Sequence, residues 1–184
     1  MKNFFLIVLF LFSENSVKAQ NFDLDSLKKV TNNDTITFIY MTALWCKPCL
    51  DKMPYLDGYF SATKKPYKLI YLFDREGYSG EKLNKIFPFI DFRNKTVFLP
   101  MRYYSNAAIQ INSHKKIFKK FINDNKSTSP VIQNIEEFNL SSILAIDSKG
   151  RGFVFDAPDA PNTKKLSLKE FDDLFSSEIS SLLK

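Results

Sequence analysis

The spacing of apolar residues along the chain predicts strands that alternate with helices. Residues 35–42 (TITFIYMT) and 68–73 (KLIYLF) are typical of buried strands, because their large side chains are continuous or alternate with Thr. Residues 142–147 predict a third strand, and a turn joins it to a hairpin partner at residues 152–155. Between the first two strands, apolar residues recur with the period of a helix, at Leu50, Met53, Leu56, Tyr59 and Phe60.

A last helix is predicted from Ser167 onward. Ser167 and Glu170 have the spacing of a capping box, and Leu166 lies where it can pack against Phe171. The order of elements is therefore strand, helix, strand, helix, hairpin and helix. That order predicts an α/β fold.

A long segment, residues 75–141, separates the second predicted strand from the third. It contains candidate helices at residues 80–87 and 113–123, with an edge strand at residues 96–103 between them. Such an insertion either shapes a substrate groove or enlarges the scaffold, and the sequence favours neither interpretation.

The N-terminus has the layout of a secretory signal peptide. Lys2 precedes an apolar run at residues 4–12, and residues 17–19 are suited to the positions that a signal peptidase reads. This apolar run is too short for a membrane anchor, since a transmembrane helix needs about 20 residues. We therefore predict a signal peptide at residues 1–19 and one domain at residues 20–184. The protein is expected to be exported, periplasmic or secreted, with no stable membrane span after cleavage.

The composition fits one globular domain. The chain has 184 residues, of which 45% are hydrophobic and 25% are charged, enough for a packed core. The net charge of +6 would suit an acidic partner. The main lysine group, at residues 115–120, has helical spacing around apolar residues and is typical of a solvated helix face. We therefore expect no nucleic-acid partner.

Only two cysteines occur, Cys46 and Cys49, three positions apart. A bridge between them closes so small a loop that it constrains the unfolded chain very little, which argues against a structural staple. A closed zinc site needs four ligands, whereas His114 is the sole histidine and is distant in sequence. A redox pair fits the spacing best, and Cu(I) held by two thiolates stays open.

The cysteines fall at the predicted junction between the first strand and the following helix. Cys46 is placed at the helix N-terminus, where unpaired backbone N–H groups and the helix dipole stabilise a thiolate. Lys47 adds a second positive charge, and Pro48 suits the first turn because its missing N–H costs nothing there. This placement predicts Cys46 as the reactive thiolate.

The WCKPC sequence at residues 45–49, followed by Pro54, resembles the active site of the thioredoxin-like superfamily. It is most similar to exported TlpA/ResA-type thiol–disulfide oxidoreductases. The resemblance implies a thioredoxin-like fold, with a central mixed β-sheet flanked by helices and an insertion between the second and third core strands. It also implies that Cys46 attacks a substrate disulfide, that Cys49 resolves the mixed disulfide, that Trp45 shields the site and that Pro54 bends the helix.

The resemblance further implies a monomer that needs no cofactor and no metal. Its expected partners are the thiols and disulfides of exported proteins, together with an upstream redox partner.

The chain departs from the family pattern just before the third core strand. Relatives place a cis-proline there, whereas this sequence has Ser141 or Ser142, and the nearest proline is Pro130. Either this loop is remodelled or Pro130 takes the role across a long excursion.

Two acidic positions of the family are also replaced. Tyr40 stands where relatives often have a buried acid, and Lys52 stands three residues after Cys49, where this family often has Glu. Asp51 is the nearest substitute base for the resolving thiol. Lys47 and Lys52 both favour a thiolate and hence a more oxidising disulfide, whereas the resemblance favours a reductant. The direction of electron flow stays open.

Three functions compete on this evidence. A thiol–disulfide oxidoreductase is favoured by the motif and its position. A non-catalytic binding module on the same scaffold, holding Cu(I), is the alternative, and the missing cis-proline and acids favour it slightly. A peroxidase is less favoured, because peroxidatic relatives set one cysteine in a different local sequence.

Overall fold

The computed structural model describes residues 19–31, 34–64, 66–74, 80–90, 92, 96–100, 106–124 and 132–157. The predicted signal peptide up to residue 18, Pro130 and the predicted last helix from Ser167 lie outside the described residues. In the part that is described, no helix is both long enough and apolar enough to cross a membrane.

Seven strands and four α-helices are described. The strands are β1 (Ala19–Phe22), β2 (Ile36–Thr42), β3 (Tyr67–Phe73), β4 (Thr96–Pro100), β5 (Ile132–Gln133), β6 (Ser142–Ile146) and β7 (Gly152–Asp156). The helices are α1 (Leu24–Thr31), α2 (Lys47–Ala62), α3 (Gly80–Ile86) and α4 (Ala107–Asp124), and a 3₁₀ turn covers Ile135–Glu137.

The described strands form one mixed sheet in the order β1-β4-β3-β2-β6-β7-β5. β2 lies in the middle, parallel to β3 and antiparallel to β6. β4 is parallel to β3 on one side and to β1 on the other. β6 and β7 form the antiparallel hairpin that the sequence predicts. The predicted mixed sheet flanked by helices is confirmed.

The prediction of an edge strand at residues 96–103 is wrong. β4 has a hydrogen-bonded neighbour on both sides, and the outer position beside it belongs to β1. β1 is only four residues long, and its sequence, AQNF, has no alternation that would have revealed it. The sequence pattern therefore does not reveal this strand, because it lacks a period of two residues.

Helix α1 was also missed, because it is short. Asp23 precedes the first residue of α1, and the Asp23 Oδ1 accepts a hydrogen bond from the Ser26 backbone N–H at 2.7 Å. Leu27 and Val30 are its buried apolar residues. The helices predicted at residues 80–87 and 113–123 are confirmed as α3 and α4, although α4 begins six residues earlier.

The sheet is covered on both faces, as the continuously buried β2 requires. Phe38 and Tyr40 face a core shared with α2, whereas Ile39 and Met41 face a second core shared with α1 and α4. The described part of the 75–141 segment adds to both cores, through Leu83 on the α2 side and α4 on the other. It therefore enlarges the scaffold.

Helix α4 carries the predicted solvated lysine face. Phe118 and Phe121 are buried, whereas Lys119 and Lys120 are exposed. Lys119 also forms an ion pair with Glu136. The lysine group is thus the outer surface of an amphipathic helix, as the spacing indicated.

Candidate active site

The WCKPC segment lies at the carboxyl end of the central strand. After β2 the chain turns, and the turn is closed by a hydrogen bond from the Cys46 N–H to the Ala43 carbonyl at 3.0 Å. α2 then begins with Cys46 as its N-cap, and the Leu50 N–H donates to the Cys46 carbonyl at 3.0 Å. Cys46 makes no side-chain capping hydrogen bond at this helix end, whose first N–H groups have no partner within the helix. Pro48 occupies the first turn, where it lacks no hydrogen bond.

Cys46 and Cys49 form a disulfide, with their Cα atoms 5.3 Å apart. The two cysteines differ in exposure, since Cys46 is partly exposed and Cys49 is fully buried. An incoming sulfur can therefore reach Cys46 more readily than Cys49. This asymmetry is what a pair with one attacking and one resolving thiol requires.

The Trp45 side chain is held by a carboxylate. Its side chain is 53% exposed, and its indole Nε1 donates to Asp74 Oδ2 at 2.7 Å. Asp74 is buried and directly follows β3. The sequence patterns did not connect Asp74 with the motif. The position of Asp74 at the end of β3 could have revealed this contact. Neighbouring parallel strands bring their carboxyl ends to the same edge of the sheet.

Lys47 lies on the surface, with its side chain 82% exposed, and pairs with Asp51 at 2.6 Å. The ion pair spans one helical turn and is exposed to solvent, so its field at the disulfide is screened. Asp51, predicted as the substitute base, is engaged in the same pair.

Tyr40 lies beneath the N-terminal turn of α2. It is fully buried, and its hydroxyl donates to the Cys49 carbonyl oxygen at 2.9 Å. Burial raises the pKa of Tyr40 well above its ordinary value, so the phenol remains a neutral donor. The group that replaces the family's buried acid therefore binds the backbone of the resolving cysteine and anchors the helix to the strand.

Lys52 is buried on the same side of α2 as Cys49. Its ammonium donates to the Ala157 carbonyl oxygen at 2.6 Å, which joins α2 to the end of β7. The Ala157 N–H in turn donates to the Ser141 carbonyl oxygen at 3.0 Å.

Ser141, one of the two serines predicted at the position of the cis-proline, directly precedes β6. It has a φ of 70°, in the left-handed region, and its N–H donates to the Met41 carbonyl oxygen at 2.9 Å. No peptide bond within the described residues is cis. Within the described residues a left-handed serine stands directly before β6, and Pro130, the other candidate for this role, lies outside them.

No group of three or more potential metal-ligating side chains occurs in the part of the chain that the structure describes. His114 lies in α4, on the opposite face of the sheet from the disulfide, with Nε2 2.8 Å from Gln110 Nε2. Its ring packs edge-on against Phe22. His114 therefore cannot join the two cysteines as a ligand.

No protein-family model matches the chain, and no curated protein matches it either. Among solved structures, the chain is similar to StoA from Bacillus subtilis, with 15% sequence identity. The likeness covers 71% of this chain and 81% of that chain, with a TM-score of 0.37.

The chain's own topology assigns the fold. The four strands β3-β2-β6-β7 stand side by side, with β3 parallel to the central β2 and the β6–β7 hairpin antiparallel to it. The disulfide lies where β2 leads into α2. The fold is thioredoxin-like. It matches the fold that the WCKPC motif implied.

Proposed function

We propose that the protein is a thiol–disulfide oxidoreductase that acts on exported proteins. The observation that carries the proposal is the Cys46–Cys49 disulfide at the N-terminus of α2, with one cysteine partly exposed and the other buried. A structural staple would not be placed here, because a loop this short stabilises little.

The reaction consists of two thiol–disulfide exchanges. In the reduced protein, the Cys46 thiolate attacks one sulfur of a substrate disulfide, and the other substrate sulfur leaves and takes up a proton. Cys49 then loses its proton to water and attacks Cys46 Sγ of the mixed disulfide, which releases the second substrate thiol. The substrate gains two electrons, the protein loses two, and the Cys46–Cys49 bond is restored.

The protein groups around the pair support these steps. The free N–H groups of the first turn of α2 stabilise the Cys46 thiolate. Trp45, beside Cys46 in the chain, is held in one orientation by Asp74. Tyr40 holds the backbone of Cys49 in place for the second attack.

The activity is tested by catalysed reduction of insulin disulfides with dithiothreitol as the electron donor. We expect turnover by the wild type and none by Cys46→Ser. Cys49→Ser should still make the first attack and accumulate a mixed disulfide that a reductant releases. Equal rates with wild type and Cys46→Ser would contradict the proposal.

The direction of electron flow follows from the reduction potential of the pair. A value near about −270 mV indicates a reductant, and one near about −120 mV indicates an oxidant. The competing function is a Cu(I)-binding module. Insulin reduction by the reduced protein, together with the absence of stoichiometric copper from the same preparation, would exclude it.

Export through a signal peptide at residues 1–19 is part of the proposal. The predicted cleavage bond, between Ala19 and Gln20, lies at the start of β1 and would leave Phe22 in the mature chain. N-terminal sequencing of protein recovered outside the cytoplasm should read from Gln20. An intact Met1 on that protein would contradict cleavage.

A further inference from the structure

Trp45 presents a large apolar surface to solvent directly before Cys46. Its side chain is 53% exposed, and it is the only tryptophan of the chain. An exposed side chain normally exchanges between rotamers within nanoseconds, so ordering it costs free energy when a partner binds against it. Trp45 differs from such a residue, because its indole is already tied to the protein.

The indole is tied by one hydrogen bond to a buried carboxylate. An indole has a single polar hydrogen, on Nε1, and in Trp45 this N–H donates to Asp74 Oδ2 at 2.7 Å. Asp74 is only 6% exposed and directly follows β3, which lies parallel to β2. The acceptor is therefore fixed at the end of the sheet, and the indole is held toward β3.

A polypeptide substrate has to pass close to Trp45. In the mixed disulfide, the Cα atoms of Cys46 and of the substrate cysteine lie about 4.4–6.8 Å apart, and the Trp45 Cα lies about 3.8 Å from that of Cys46. The residues that flank the substrate cysteine are therefore within reach of a large side chain at position 45. A small disulfide such as hydroxyethyl disulfide has no residues there. Contact with the indole thus distinguishes the two kinds of substrate.

We propose that Asp74 is a positioning residue that holds the Trp45 indole as a preformed surface for polypeptide substrates. The protein then favours protein disulfides over small-molecule disulfides, because an aromatic side chain that is ordered before binding loses less free energy on binding. The inference rests on the proposed function and deepens it by naming the substrate class. The exchange is the same for both substrates: one substrate disulfide gains two electrons and two protons, and the protein dithiol becomes the Cys46–Cys49 disulfide.

The test measures how fast the purified, reduced protein reduces insulin and hydroxyethyl disulfide in single-turnover reactions. Alkylation and mass spectrometry give the fraction of protein that still carries two free thiols. Asp74→Leu removes the acceptor and keeps a side chain of similar size. We expect its second-order rate constant with insulin to fall about fivefold, whereas that with hydroxyethyl disulfide stays within about twofold of wild type. Asp74→Asn, whose carboxamide oxygen still accepts, should stay within about twofold with both substrates.

Asp124→Leu is the matched control. Asp124 also accepts a hydrogen bond from a side chain, that of Lys28, but it ends α4 on the other face of the sheet. Its replacement should leave both rate constants unchanged. Because Trp45 is the only tryptophan, fluorescence anisotropy reports the mobility of this indole alone. The anisotropy should fall in Asp74→Leu and keep the wild-type value in Asp74→Asn and Asp124→Leu.

A second variant separates positioning from a direct role of the Asp74 carboxylate in the chemistry. Trp45→Phe keeps an aromatic ring but removes the N–H that Asp74 binds, so the reduction of insulin should again slow and that of hydroxyethyl disulfide should not. Adding Asp74→Leu to Trp45→Phe should then slow insulin reduction no further, because the two changes remove the same contact.

The inference would be overturned by equal losses with both substrates in Asp74→Leu, by no loss with insulin, or by an additive loss in the double variant. If Asp74→Leu does not fold, an unchanged rate with insulin in Trp45→Phe would overturn it equally. A wild-type protein that reduces neither substrate would overturn the proposed function, and this inference with it. Reduction of both substrates at the same rates by wild type and Asp74→Leu would overturn only the role of Asp74.

Discussion

Tyr40 shows what a single buried hydroxyl does beneath the disulfide. It donates to the Cys49 carbonyl oxygen at 2.9 Å from a fully buried position in β2. Tyr40→Phe keeps the ring and removes the donor, so we expect the free energy of unfolding to fall by about 1–2 kcal/mol. Urea unfolding of the oxidised protein measures this change in the free energy of unfolding. Tyr55→Phe, at a 43% exposed position, is the control and should leave the value unchanged.

His114 makes the free energy of unfolding of the protein depend on pH. Burial lowers the pKa of His114 from 6.5 to about 3, so the folded protein binds this proton more weakly than the unfolded chain does. The stability that His114 contributes is complete above about pH 6.5 and is lost as the pH falls toward 3.

This pH dependence is tested with His114→Gln, which does not titrate and can still bind Gln110. Between pH 7 and pH 4, urea unfolding should show wild type losing about 3 kcal/mol more than the variant. The same decline in both proteins would show that His114 is not responsible.

At the scale of the element, Gly58 leaves room for a stabilising change in α2. It lies inside the helix, and a Cβ added there meets nothing within 4 Å. Gly58→Ala should therefore raise the free energy of unfolding by about 0.5–1 kcal/mol, because Ala loses less backbone entropy in a helix. Chemical denaturation of the purified variant checks this, and a loss of stability would contradict it.

Gly152 has the opposite character in the β6–β7 hairpin. A Cβ added there would lie 2.1 Å from the Ala145 backbone oxygen, so the two strands would have to move apart. Gly152→Ala is expected to lower the free energy of unfolding by about 2–3 kcal/mol or more. Unfolding of Gly58→Ala and Gly152→Ala in parallel should give shifts of opposite sign.

At the scale of the whole molecule, β1 secures the outer part of the sheet by pairing with β4 and by burying Phe22. Phe22 is fully buried, with its ring centroid 5.3 Å from that of Phe98 and 5.0 Å from that of Phe118. In a chain that begins at Gln20, Phe22→Ala should lower the free energy of unfolding by about 3–5 kcal/mol. Phe89→Ala, at an 84% exposed position, should change it by less than about 0.5 kcal/mol.

The sequence predicted the elements whose patterns are long and regular. The strands β2, β3 and β6 were recognised because their large apolar side chains are continuous or alternate with Thr, and α2 because its apolar face repeats over about three turns. β1 and α1 were missed, since four and eight residues carry too little periodicity to stand out. The partners of β4 were not predictable, because strand order depends on contacts between distant segments.

By itself, the sequence determined the Cys46–Cys49 pair and its place between strand and helix. Both depend on local chemistry: the spacing of two sulfurs, the first turn of a helix and the strand before it. Only the tertiary structure decided which groups surround the pair. Asp74 reaches Trp45 from 29 residues away, and Ala157 meets Lys52 from 105 residues away. Burial, which separates Lys52 from Lys47, likewise arises only when the sheet and the helix pack together.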